Sequence, residues 1–381
     1  MAFSSNHFRS PRMWFALAAV AFLLFVSVPW GRPTEITRTS FGMPKSWYEN
    51  KIAWRTRAAI EQNAFCRTAA VTPLPDKTVE KTIDLDGVSY KLTLYDTGMD
   101  AVSAIIIRTG VWEHAATRQV LWALKLANDV RGQDRATFLD IGGNVGWYTV
   151  TAAAHGHRVA VFEPMPQNEY LIRRSLCANR DLARHVDYYA MGLGAQPDEC
   201  RIISHNENHG NGILQCGEDS KKPVADQHGV RADVSIHTLD GIVQDDRRAG
   251  EFGVMKMDVE GFESEVLKGG EKSLFATDNR PPMIMMEYIP SLQARLLGDD
   301  PTGILTLLDG YGYEIRTSWF THEAKAKDST ETGKVYNSFL GEPAVRPSEF
   351  KAWSDTHPTV DIFLVHRSFV KEAKTWISAR Y

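Results

Sequence analysis

A mostly parallel α/β sheet of seven strands with helices on both faces is the fold class this sequence predicts, on three observations. First, apolar runs of strand length recur at about 137–141, 158–163, 186–190, 254–258, 283–288, 313–318 and 359–366, with helix-compatible segments between most of them. That alternation is the pattern of βαβ units, whose crossovers lay helices over both faces of a sheet. Second, four of these runs close on an acid: Asp140, Glu163, Asp258 and Glu287. Third, the first run passes straight into a glycine-rich turn, Gly142-Gly143-Asn144-Val145-Gly146, and then into a helix-compatible stretch. Strand, glycine turn and helix in that order are how open α/β sheets present a ligand at a strand's carboxyl end.

Taken in order, the chain opens on a tail, residues 1–12, and then an uncharged apolar stretch from Met13 to Trp30, with Arg9 and Arg12 before it and Arg32 after it. This is at the short end of what spans a bilayer, and Trp14 and Trp30 sit where interfacial aromatics are favoured. The competing reading is a cleaved signal peptide, but Val26-Ser-Val-Pro-Trp30 offers no small-x-small cleavage site. The expectation is a single-pass anchor over 13–30. The short leading tail places the N-terminus in the cytosol and the rest of the chain in the lumen of the endoplasmic reticulum or Golgi. Residues 31–80, irregular and proline-bearing, read as a stem, and 81–381 as the functional domain. Residues 81–95 alternate on either side of Asp86-Gly87 and predict a hairpin. Val120, Leu121, Leu124 and Ala127 give helical spacing to 111–130.

One stretch breaks the rhythm. Residues 204–231 are rich in His, Asn, Gly and Lys and read as a lid or a disordered loop. His205 and His209 lack carboxylates at useful spacing, so no metal site is expected there. The four cysteines fit no zinc pattern. Cys177 reads as a buried small hydrophobe within a helix, while Cys200 and Cys216 flank a loop and leave pairing open. The net charge of −4 argues against a nucleic-acid binder, which would present a basic face.

The glycine turn departs from the dinucleotide pattern G-x-G-x-x-G, because Asn144 stands at its third position and Gly146 comes one residue early. That spacing disfavours NAD and suits a smaller ligand with an amino-acid end, a ribose and one base, which describes S-adenosylmethionine. Gly142 and Gly146 let the backbone approach it, Asp140 accepts from its amine, and Glu163 holds two ribose hydroxyls. The bland alternative is a tight turn joining two core elements.

Further segments follow: Thr238-Leu-Asp240, Lys256-Met-Asp-Val-Glu-Gly-Phe-Glu263 with Val-Leu-Lys-Gly-Gly behind it, and the apolar strand to Glu287. With Asp140–Gly146 and Phe162–Asn168 they resemble, in order over about 100–320, the FkbM family of S-adenosylmethionine-dependent methyltransferases. Gly143 replaces the alanine usual in that family's turn. The resemblance implies a seven-stranded Rossmann-like methyltransferase sheet whose last strand inserts antiparallel.

Methyl transfer to a hydroxyl requires placement and a general base. Asp258, at a strand end on the same edge as Asp140 and Glu163, is the expected base, and Glu287 is the second candidate. Glu260 and Glu263 begin a helix, where carboxylates favour the dipole. Asp240 either borders the donor pocket or caps a helix. The expected protein is thus a membrane-anchored O-methyltransferase acting on a glycan or similar small acceptor, with no nucleic-acid partner. The alternative is a membrane-tethered, non-catalytic binding domain of the same fold.

Overall fold

The structure, a computed structural model, describes residues 54–71, 73–74, 76–132, 136–245, 252–297, 302–316, 346–348, 350 and 360–380. The expected anchor over 13–30 lies outside the described residues. Among the described residues no helix is long and apolar enough to cross a membrane.

The elements run α1 (Trp54–Ala69), β1 (Thr78–Leu85), β2 (Val88–Tyr95), α2 (Ala101–Thr109), α3 (His114–Arg131), β3 (Thr137–Ile141), α4 (Trp147–Ala154), β4 (Arg158–Phe162), α5 (Pro166–Ala178), α6 (Arg180–Ala183), β5 (Val186–Tyr189) and β6 (Gly192–Leu193). They continue with β7 (Asp198–His205), β8 (Ile213–Cys216), β9 (His228–His237), α7 (Leu239–Asp245), β10 (Phe252–Met257), α8 (Glu263–Gly269), β11 (Met283–Tyr288), α9 (Pro290–Leu297), α10 (Gly303–Gly310), β12 (Tyr313–Ile315), β13 (Val360–His366) and α11 (Arg367–Ser378).

Seven strands form one sheet in the order β12-β13-β11-β10-β3-β4-β5. β5, β4, β3, β10 and β11 are mutually parallel. β13 slots between β11 and β12 and runs antiparallel to both. The period of two sorts each strand's side chains into two cores. Phe138, Val254, Met283 and Met285 enter one, with α3, α4, α5, α11 and the β1–β2 hairpin over it. Leu139, Ile141, Met255, Met257, Ile284 and Met286 enter the other, under α7, α8 and α10. Every residue of β10 is buried, which is why these strands read as continuous apolar runs rather than as alternating ones.

Three expectations are corrected. The stem does not reach residue 80: residues 54–69 form α1, and Cys66 is disulfide-bonded to Cys177 on α5. Arg173, fully buried on α5, pairs with Glu169 at 2.8 Å and with Glu61 of α1 at 3.2 Å. Helical spacing in α1 is obscured by its polar residues, which is why it reads as irregular. Cys177 is accordingly a bridge partner and not a lone hydrophobe. Residues 204–231 are not a loose loop either. They contribute the end of β7, all of β8 and the start of β9 to a four-stranded sheet, β6-β9-β7-β8, closed by the Cys200–Cys216 disulfide between facing residues of β7 and β8. Its small apolar layer is Met165, Cys200, Ile202, Val234 and Ile236.

Candidate functional site

The site begins where β3 ends. Gly142 has φ +87° and a Cβ there would stand 1.9 Å from the Asp258 carbonyl oxygen, so both the turn and the close approach of the two strand ends demand glycine. Gly146 has φ +86° and packs on Ile172 of α5. Between them Asn144 is itself left-handed, with φ 48°, its Oδ1 accepting from the Val145 N–H at 2.7 Å. The Gly142 and Gly143 amides donate to the Phe162 carbonyl, which ties the turn to the end of β4.

Glu163 follows β4 directly. Its Oε2 accepts from the Asn144 N–H and its Oε1 from the Met165 N–H, each at 2.8 Å. Burial pushes its carboxyl up to about 7 despite these donors. The carboxylate has about four acceptor sites, so with these two amides and the Asn168 side chain acting on it one remains free in the cavity that Glu163 lines. Asn168, also acting on Glu163, accepts from Tyr95 Oη at 2.9 Å and donates to the Gly210 carbonyl at 3.0 Å.

Asp140 stands behind the turn. It is 1% exposed and absent from the cavity wall, its Oδ2 accepting from Thr149 at 2.6 Å while its Oδ1 has no partner. Burial raises it to about 6, against the pull of Lys256, its register neighbour on β10. Lys256 is buried, donates to Asp258 Oδ2 at 2.8 Å and lies 4.9 Å above the Tyr148 ring. Asp258 itself lines the cavity while paired with Lys256.

Beyond Asp258 the chain turns through Glu260 at φ 55° and Gly261 at φ 94°. Glu263 stabilises this turn, accepting from the Val259 and Gly261 amides. Carboxylate oxygens of Asp258, Glu260 and Glu287 lie within 4.8 Å of one another. Burial, then the charges of Asp258, Glu260 and Asp361, push Glu287 up to about 10, and its Oε2 is buried without a partner. The raised carboxyl favours the protonated form of Glu287, the second base candidate.

The cavity is lined on the turn side by Gly142, Asn144, Glu163 and Asp258, and on its apolar side by Phe162, Met191, Leu193, Ile202 and Leu214. Gly210, Asn211 and Gly212, from the tip between β7 and β8, complete it. That tip is docked by the His209 N–H on the Met99 carbonyl at 2.8 Å and by Asn208 on the Ala101 N–H at 3.2 Å. The sequence flagged the tip only as a possible lid. Asp240 accepts from the Ser273 N–H at 2.7 Å and the Lys272 N–H at 3.3 Å, capping the turn that begins at Glu271, and is not among the residues lining this cavity.

Residues 140–315 match the family described as the methyltransferase FkbM domain. Among solved structures the chain resembles the precorrin-6y C5,15-methyltransferase of Geobacter metallireducens, at 15% identity over 51% of this chain and 71% of that one, with a TM-score of 0.26. It also resembles the Pyrococcus abyssi tRNA (uracil-54, C5)-methyltransferase in complex with S-adenosyl-L-homocysteine, at 11% identity and a TM-score of 0.31, over 64% of this chain and 40% of that one. A third is the Haemonchus contortus phosphoethanolamine N-methyltransferase 2 in complex with S-adenosyl-L-methionine, at 10% identity over 83% of this chain and 75% of that one, with a TM-score of 0.29. No curated protein matches the sequence. Residues 140–315, from the acid near the end of β3 to the last residue of β12, are an FkbM methyltransferase domain of the S-adenosylmethionine-dependent kind.

Proposed function

We propose that this chain transfers the methyl group of S-adenosylmethionine to a hydroxyl of a glycan or similar small acceptor, from a membrane anchor at residues 13–30 and inside the secretory lumen. One observation carries the reading of the donor site. The Gly142–Gly146 turn and the Glu163 carboxylate are locked together by the Asn144 N–H, beside an apolar wall that suits a base. When bound, the donor supplies a methyl group as a sulfonium electrophile. Glu163 holds the ribose hydroxyls, Gly142 admits the backbone's close approach, and Asp258, paired with Lys256, offers charge near the cationic centre. Asp140 stabilises the turn from behind, through Thr149. The two disulfides support an oxidising compartment, since cytosolic proteins rarely keep them.

Calorimetry of the full chain with S-adenosylmethionine and with NAD tests the donor. The expected result is binding of the first alone. Glu163→Ala should weaken it by about 1.5–3 kcal/mol, the worth of one hydrogen bond to a charged group. Unchanged donor affinity in a folded Glu163→Ala protein would overturn the assignment. Carbonate extraction of membranes, with and without residues 1–31, tests the anchor, and protease access to a C-terminal reporter tests the orientation.

A further inference from the structure

We infer that Glu260 is the group that takes the acceptor's proton, and that Asn211, reaching from the β7–β8 tip, positions it. The inference rests on the methyl-transfer reading above and deepens it. Three observations point to Glu260. It lines the cavity, its carboxylate within 4.8 Å of those of Asp258 and Glu287. Its backbone is held left-handed, at φ 55°, a strained conformation for a non-glycine residue that is concentrated at working sites. And Asn211, which lines the same cavity and is brought in by the inserted sheet and not by the seven-stranded one, acts on its carboxyl.

The neighbouring acids are already committed. Asp258 is engaged by Lys256, Glu263 by the Val259 and Gly261 amides, and burial with its acidic neighbours raises Glu287 further than Glu260. Burial, then Asp258 and Glu263, raise Glu260 to about 7, with Asn211 and Lys256 pulling the other way, which suits a base working near neutral pH. In the step itself a lone pair of the acceptor oxygen forms the new C–O bond. The C–S bond breaks with its electron pair left on sulfur, and the hydroxyl proton passes to a Glu260 oxygen. The tip that carries Asn211 is held in place by the His209 contact to Met99 and the Gly210 contact to Asn168.

The test uses the full chain labelled with carboxyl-13C glutamate, the Glu260 signal being assigned by its loss in Glu260→Gln. In the ligand-free protein this carboxyl should titrate near neutrality, and Asn211→Ala should move it higher still. Titration in the ordinary glutamate range, or an Asn211→Ala protein with no shift, overturns the inference. A second arm supplies radiolabelled S-adenosylmethionine and a panel of methyl glycosides. On any accepted member Glu260→Gln should lose about 10²–10⁴-fold in kcat and the acid limb of the pH profile, with donor affinity kept. Full turnover in Glu260→Gln overturns the role of Glu260. Failure of the donor to bind wild-type protein would instead sink the methyltransferase reading, and the titration would still be read.

Discussion

Breaking the Cys66–Cys177 bridge is expected to cost more than breaking Cys200–Cys216, by an amount set mainly by the loops they close. The first spans a sequence separation of 111 and the second 16. Loop-closure entropy then gives about 5 kcal/mol for the long loop and about 3 kcal/mol for the short one, a gap of about 1.7 kcal/mol. The native contacts of α1 survive the change: Phe65 is buried edge-on against Tyr170, Gln62 donates to the Arg173 carbonyl at 3.1 Å, and Glu61 still meets Arg173. The Cys66→Ser/Cys177→Ser protein should therefore fold, with its loss traceable to the freer unfolded chain. Non-reducing urea unfolding of both double variants, compared with wild type at equal slope, measures the two costs. A short-loop variant that loses as much as the long-loop one would refute the entropic account. The consequence reaches the site, because α5 also carries Asn168, and Arg173 stacks 4.5 Å from Tyr188, whose hydroxyl donates to the Glu163 carbonyl at 2.7 Å.

Lys256→Met should destabilise the domain by about 3–5 kcal/mol, since Asp258 and Asp140 would lose the buried cation between them; a thermal midpoint within a degree of wild type would contradict this. Stability of the ligand-free protein should fall as pH rises from about 5 to 7.5. Burial raises Glu163 to about 7 and Asp140 to about 6, and Glu260 and Asp361 likewise to about 7. The folded state thus keeps protons the unfolded chain releases, and stability present below the unfolded values is lost through the folded ones, by about 1.4 kcal/mol per pH unit for each proton. His157, pushed down to about 4 by burial, and His209 and His366, also lowered by burial, oppose them but are outnumbered by the acids, so melting curves that rise or stay flat over this range would refute the reasoning.

The seven strands were legible in the sequence because burial on both faces writes itself as short apolar runs, and the structure places strands at all seven expected positions. The glycine turn was legible for a similar reason: positive φ at Gly142 and Gly146 is a local demand that only particular residues meet. The antiparallel entry of β13 followed from family resemblance, since neither its spacing nor its composition states a direction. What lay beyond the sequence depends on partners distant along the chain. Cys177 is like any small buried residue until α1 delivers Cys66 to it, and the 204–231 stretch is polar because its sheet has one thin apolar layer instead of two. The acids at the strand ends show the limit most clearly. Asp258, Glu260 and Glu287 look interchangeable in the sequence, as carboxylates at the mouth of a sheet. Only the fold sets Lys256 against the first, Asn211 against the second and Asp361 beside the third, and a carboxyl group's charge is decided by those neighbours and by the water they exclude.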